Sequence, residues 1–189
     1  MKIVGISGSP RKNGNTEILV KEALKGVEEE GLKTEFISLA GKNINYCLGC
    51  PKSECKEGVC KIKDDMQEFY ELLPKVDGII LGSPVYYTGP TGLIKNFIDR
   101  LRCLIRPTKK LKGKVGGVIV VGGRSGHSIT EFILLDSMCG SHEMILPGGV
   151  CMECFAKKLG EVGKNKKTLE DARELGKKLA KFCKELEKK

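Results

Sequence analysis

The sequence contains no tryptophan and only two histidines, His127 and His142, which stand apart from one another. Gly-x-Ser-x-Gly and His-Glu-x-x-His are both absent, so no machinery for hydrolysis is visible. No apolar stretch approaches the roughly 20 residues of a membrane-crossing helix. The longest, 115–121, is strand-sized and holds two glycines, and nothing is expected to span a membrane. The chain runs from Met1 straight into Lys2-Ile3-Val4-Gly5-Ile6, without the basic, apolar and small-residue series of a secretory signal. That points to the cytosol. Helix-turn-helix, zinc-finger and ribonucleoprotein signatures are missing as well. The formal charge of +9 does not replace them, because residues 156–189 carry twelve Lys or Arg against six Asp or Glu, and the excess is local. No nucleic-acid partner is expected.

What is present is room for a full core: 189 residues, 40% apolar and 30% charged, fit one globular domain, 1–189. Nine cysteines, an odd number in a chain able to fold without staples, argue against a disulfide framework and for reduced, metal-binding thiols. Periodicity gives a strand at 2–6, a helix at 16–30 ended by Gly31, and a strand at 33–39. A cysteine-rich loop, 41–63, follows, with a helix opening at Asp64-Asp65 and running to 73. The runs 76–82 and 114–121 have the unbroken apolar character of central parallel strands, and 92–105 is an amphipathic helix between them. A glycine-rich loop at 122–126, a helix at 129–137 and a short last strand at 143–146 precede Pro147-Gly148-Gly149. Thr168 and Asp171 open a C-terminal helix, 168–188, whose lysines face solvent. Five strands alternating with helices predict a three-layer α/β sandwich around a parallel sheet of order 2-1-3-4-5.

Three loops fall at the carboxyl ends of these strands, where open α/β sheets bind ligands. The first, Ser7-Gly8-Ser9-Pro10-Arg11-Lys12-Asn13-Gly14-Asn15-Thr16, aims hydroxyls, amides, backbone N–H groups and a helix N-terminus at one point, as an oxyanion requires. Its glycines fit neither Gly-x-Gly-x-x-Gly nor Gly-x-x-x-x-Gly-Lys-Ser/Thr, which disfavours ATP hydrolysis. The second, 82–89, offers Pro84 and Val85 as apolar surface and Tyr86 and Tyr87 as covers for a planar ring. The third, 122–127, permits close backbone approach at Gly122 and Gly123, with Arg124 and His127 either solvated or at the ligand.

The cysteines of the 41–63 loop are spaced Cys47-x2-Cys50-x4-Cys55-x4-Cys60. Thiolates are soft ligands, and one pair with two widely spaced singles leans towards a 4Fe-4S cluster, with zinc and unligated thiols as the alternatives. Cys103, Cys139 and Cys183 lie on predicted helices among apolar neighbours, as core thiols do, and Cys151-x2-Cys154, after the expected last strand, could lend such a cluster a ligand or be simply buried.

The three loops, with Lys95-Asn96-Phe97-Ile98-Asp99-Arg100, resemble the flavodoxin-like, NAD(P)H-dependent FMN reductase family over nearly the whole chain, and the cysteine run resembles its iron-sulfur flavoprotein branch. That branch has two residues between its second and third cysteines, where this chain has four. The resemblance implies FMN as cofactor, with Ser9, Arg11, Asn13, Asn15 and Thr16 at its phosphate and Pro84, Val85, Tyr86 and Tyr87 at its ring; Ser7, Gly122 and Gly123 are expected among the cofactor-binding residues as well. It implies a 4Fe-4S cluster on Cys47, Cys50, Cys55 and Cys60, and packing and a subunit contact for 95–100 in a dimer or tetramer. The expected function is electron transfer between FMN and a one-electron partner such as ferredoxin. The alternatives are an NAD(P)H-dependent reductase of flavins or quinones without a cluster, and a zinc-stabilised interaction module.

Overall fold

A computed structural model describes residues 1–51, 55, 60–105 and 108–188. Five parallel strands form the sheet, β1 (Lys2–Ser7), β2 (Lys33–Ser38), β3 (Gly78–Tyr86), β5 (Val115–Gly122) and β6 (Cys151–Phe155), in the order β2-β1-β3-β5-β6. A two-residue strand, β4 (Gly89–Pro90), folds back antiparallel on the end of β3. The expected order is therefore observed, with one more strand than expected. Central position explains composition: all eight residues of β5 are buried, and β3 is buried from Gly78 to Ser83.

Side chains alternate across the sheet with a period of two and feed two core layers. Ile3, Ile80, Ile119 and Val121 meet α1 (Asn15–Glu29) and α5 (Lys166–Glu187) on one face. Val4, Ile79, Leu81, Val118 and Val120 meet α2 (Met66–Leu72), α3 (Gly92–Arg100) and α4 (His127–Asp136) on the other. Helices α1 and α5 touch through glycine: a Cβ at Gly26 would strike the Arg173 carbonyl, and one at Gly176 the Ala23 carbonyl. Two facing glycines set how closely the helices lie.

Four expectations need correction. The segment 143–146 contributes only a single bridge, Val115 to Ile145, and the last strand is 151–155. Glu143 has φ of 55°, and Pro147 lacks the N–H that would extend pairing, so the chain re-enters the sheet only after the glycines. The C-terminal helix starts earlier, capped by the Asn165 side chain accepting from Thr168 N. The third strand does not stop at 82 but continues through Pro84 to Tyr86 and turns into β4. The helix at 129–137 begins at His127 and loosens after Asp136 into a π-helical turn, Ser137–Ser141, which leaves Cys139 exposed rather than in the core.

Candidate functional site

The carboxyl ends of β1, β3, β5 and β6 lie along one edge, and an open cavity of about 270 Å³ sits there. Ser9, Arg11, Asn15 and Thr16 line one side, Pro84, Val85 and Tyr86 another, and Gly122 and Gly123 a third. Three expected residues stand outside this lining. Ser7 is wholly buried at the end of β1, where its Oγ accepts the Ser9 N–H. Asn13 turns at φ of 56° with its N–H on Glu17 Oε2. Tyr87, at φ of 46° in the turn between β3 and β4, is fully exposed.

The lining suits an anion at one end. Gly14 stands at the N-cap of α1 and no side chain caps the helix, so its first N–H groups remain for an outside acceptor. Ser9 Oγ instead accepts the Arg11 N–H at 3.1 Å and stiffens the turn. The Asn15 side chain is also engaged: its Nδ2 donates to Lys158 O at 2.8 Å and its Oδ1 accepts from Val162 N. It ties α1 to the segment after β6, bringing Lys157 and Lys158 into the lining beside Arg11. Glu161 accepts both lysines' backbone N–H groups and fixes that turn. Lys157, Lys158 and Gly14 were missed from sequence. The two lysines directly follow a strand, a signal available only once that strand is placed at 151–155.

A hydrogen-bond chain joins the first two loops. Thr91 Oγ1 donates to Gly8 O at 2.7 Å and caps α3 by accepting from Ile94 N, while Gly8 N donates to Gly82 O. Behind the third loop, His127 is buried, its Nε2 3.1 Å from Cys154 O and its ring against Phe155. Its role is to hold the ends of β5 and β6, whereas Arg124 is exposed and outside the cavity lining.

The second region lies between β2 and α2. Cys47 and Cys50 are half-buried, Cys55 and Cys60 are each 5% exposed, and the Cys103 Sγ contacts the Cys55 Sγ at 3.5 Å. Cys103 is thus no mere core thiol: it lies on the 3-10 turn Leu101–Ile105 beneath the loop cysteines. Burial and its contacts with Cys55 and Cys60 push this thiol up to about 12, so it is protonated at neutral pH. Among the described residues no three metal-ligating side chains already surround one point. Most of the gap between Cys50 and Cys55, and of that between Cys55 and Cys60, falls outside the described residues.

The loop is clamped at its base. Arg100 and Asp64, neither with exposed side-chain surface, pair through two contacts of 2.8 and 3.0 Å. Arg100 also donates to Asn45 O and Ile62 O, and Asp64 accepts from the N–H groups of Asn45 and Met66. The Arg100 Nε–H, by contrast, is buried with no hydrogen-bond partner among the described residues. Of the packing and subunit contact expected for 95–100, Arg100 serves packing, enclosed within its own fold. Cys151 and Cys154 are remote from these thiols: Cys154 belongs to the core layer on the opposite face, and both lie on β6, at the end of the sheet away from β2. They are not spare ligands for the loop. Cys55, Cys60 and Cys103 in one buried cluster, with Cys47 and Cys50 on the same loop and an unsatisfied buried donor at its base, have the chemistry that a thiolate-bound metal centre needs.

Comparison with known proteins adds a family to this geometry. The family model described as NADPH-dependent FMN reductase matches residues 1–157. The chain is 43% identical over 196 residues to an iron-sulfur flavoprotein of Methanocaldococcus jannaschii, covering 100% of both chains. It is 37% identical over 150 residues to an iron-sulfur flavoprotein of Methanosarcina thermophila, covering 78% of each. A solved structure of a flavodoxin, WrbA-like protein from Agrobacterium tumefaciens is similar in fold, with a TM-score of 0.70, 18% identity and 97% of each chain covered. The chain belongs to the NADPH-dependent FMN reductase family, as a flavin-dependent oxidoreductase or electron-transfer flavoprotein.

Proposed function

We propose that the protein binds FMN in the carboxyl-edge cavity and a 4Fe-4S cluster on Cys47, Cys50, Cys55 and Cys60, and passes electrons between the flavin and a one-electron partner of the ferredoxin class. The observation that carries this is the coexistence, in one fold, of an uncapped helix N-terminus beside three cations and a clamped bed of soft thiols. Bound FMN supplies both one- and two-electron chemistry, and the cluster supplies single-electron exchange.

The chain's own groups bind and orient. The α1 N-terminus with Ser9, Thr16, Arg11, Lys157 and Lys158 would hold the phosphate end. Pro84 and Val85 would give the ring apolar surface, Gly122 and Gly123 would let backbone approach it, and Tyr86 would cover it. No side chain is required as nucleophile. The exposed Ile129, Phe132, Phe155 and Leu159 favour a homo-oligomer.

Protein purified without oxygen should show flavin bands and broad iron-sulfur absorption together, with iron and acid-labile sulfide in stoichiometric amount. Rapid reduction of FMN by NADPH in protein with neither iron nor sulfide would replace this with the cluster-free reductase. Stoichiometric zinc without flavin would replace it with the zinc-stabilised module.

A further inference from the structure

The buried pair at the base of the cysteine loop does more than stabilise the fold. Asn45, whose carbonyl accepts from Arg100 at 2.9 Å, lies two residues before Cys47; Ile62, whose carbonyl accepts at 3.4 Å, lies two residues after Cys60. One guanidinium thus closes the chain from 45 to 62 and fixes the separation of its first and last cysteines. Asp64 braces the same point through Asn45 N, and Tyr70 donates its hydroxyl to Arg100 O at 3.0 Å.

A guanidinium has five N–H donors, and here the Nη groups take Asn45 O, Ile62 O and both Asp64 oxygens while Nε–H takes no acceptor among the described residues, although Arg100 is only 1% exposed. A buried donor without a partner is costly, and more so on a charged group, so such a donor marks a place where something else binds. The Tyr70 hydroxyl and, less strongly, Cys60 are near enough to interact with the Arg100 guanidinium. We infer that Arg100 is a positioning residue of the cysteine site, and that its Nε–H donates to a sulfur of the loaded cluster. This rests on the cluster assignment above.

A consequence separates this role from mere packing. Asp64 balances the Arg100 charge, so what remains at the cluster is an oriented N–H dipole. An N–H directed at sulfur favours the reduced cluster, which carries one more negative charge, and so raises its reduction potential.

The test compares the anaerobic wild type with Arg100→Met/Asp64→Leu, which replaces the pair by apolar side chains, and with Arg100→Lys, which keeps the ion pair but has no Nε–H. Circular dichroism and FMN content establish that each variant is folded; where the double variant is not, Arg100→Lys carries the test. Iron and sulfide per chain should fall in both. In the fraction that loads, redox titration followed by electron paramagnetic resonance should show the reduction equilibrium of the cluster shifted about tenfold towards the oxidised form, or about 59 mV for one electron. The FMN potential, read in the same titration, serves as the internal reference. A variant that folds and holds FMN but no iron supports the positioning role. Wild-type occupancy with an unchanged cluster potential in both variants overturns the inference alone, and an unchanged potential with reduced occupancy overturns the donor role. A wild type without iron or sulfide overturns the cluster assignment, and this inference with it.

Discussion

Acid should weaken this fold through Asp64 by an amount that can be calculated. Burial alone would raise its carboxyl, but the Arg100 guanidinium and the Asn45 and Met66 N–H groups outweigh burial and hold it at about 2, against an ordinary 3.8. The folded form therefore gives up this proton more readily than the unfolded chain does. The stabilisation is fully present above the unfolded value and is lost as pH falls towards 2. The two values give a loss of about 1 kcal/mol at pH 3 and about 2 kcal/mol at pH 2, relative to pH 7. Asp64→Asn should cost about 3–5 kcal/mol at pH 7, because Arg100 keeps its buried charge without a counterion, and should abolish this part of the pH dependence. The assay is urea unfolding followed by circular dichroism at pH 7, 5 and 3, on chelator-treated protein so that acid loss of metal does not contribute. Glu22 and Glu143 are also held low by their basic partners, but they titrate in both proteins and cancel from the comparison. If wild type and variant lose the same stability between pH 7 and 3, Asp64 does not act as described.

Gly176→Ala should lower stability by about 1–3 kcal/mol or more in thermal unfolding, because its Cβ meets the Ala23 carbonyl; the same change at an unpacked helical glycine would add about 1 kcal/mol. Lys157→Glu with Lys158→Glu should weaken FMN binding at least tenfold by fluorescence titration, with a smaller difference at high salt, since both residues line the anion end of the cavity. Cys55→Ser should lose iron and sulfide as Cys47→Ser does. If Cys55→Ser alone keeps a full cluster and Cys55→Ser with Cys103→Ser does not, the ligand is Cys103, whose sulfur lies 3.5 Å away.

Where sequence and structure agree, the reason is local. The runs at 76–82 and 114–121 are buried on both faces, so nearly every position must be apolar and the pattern is hard to mistake. The last strand was invisible for the opposite reason. It is a sheet-edge strand, and of Cys151, Met152, Glu153, Cys154 and Phe155 only Cys154 is buried. The earlier 143–146 run looks more strand-like because Met144 packs in the core and Ile145 makes a bridge. Placing the strand there hid Lys157 and Lys158 and made Cys151 and Cys154 seem available to the cysteine loop.

The cysteine site shows what spacing alone leaves out. Four thiols in fourteen residues are conspicuous, but what fixes them comes from far along the chain: Arg100 lies 55 residues from Asn45, and Cys103 lies 48 from Cys55. In sequence Arg100 ends an amphipathic helix, where a basic residue complements the helix dipole and is normally solvated. In the fold it is the largest fully buried side chain among the described residues, turned inward because Asp64 and two loop carbonyls meet it there. A cation takes that position only if its charge and most of its donors are satisfied. Four acceptors satisfy the Nη groups, and the Nε–H is left over on a guanidinium whose charge Cys60 feels. The same helix carries Ile94 under the phosphate turn at its start and Arg100 and Cys103 at the cysteines beyond its end. Its capping residue, Thr91, is bonded to Gly8 of that turn. A rigid α3 therefore joins the anion turn to the thiol bed, and the placement of one relative to the other is set by packing rather than by the loops themselves.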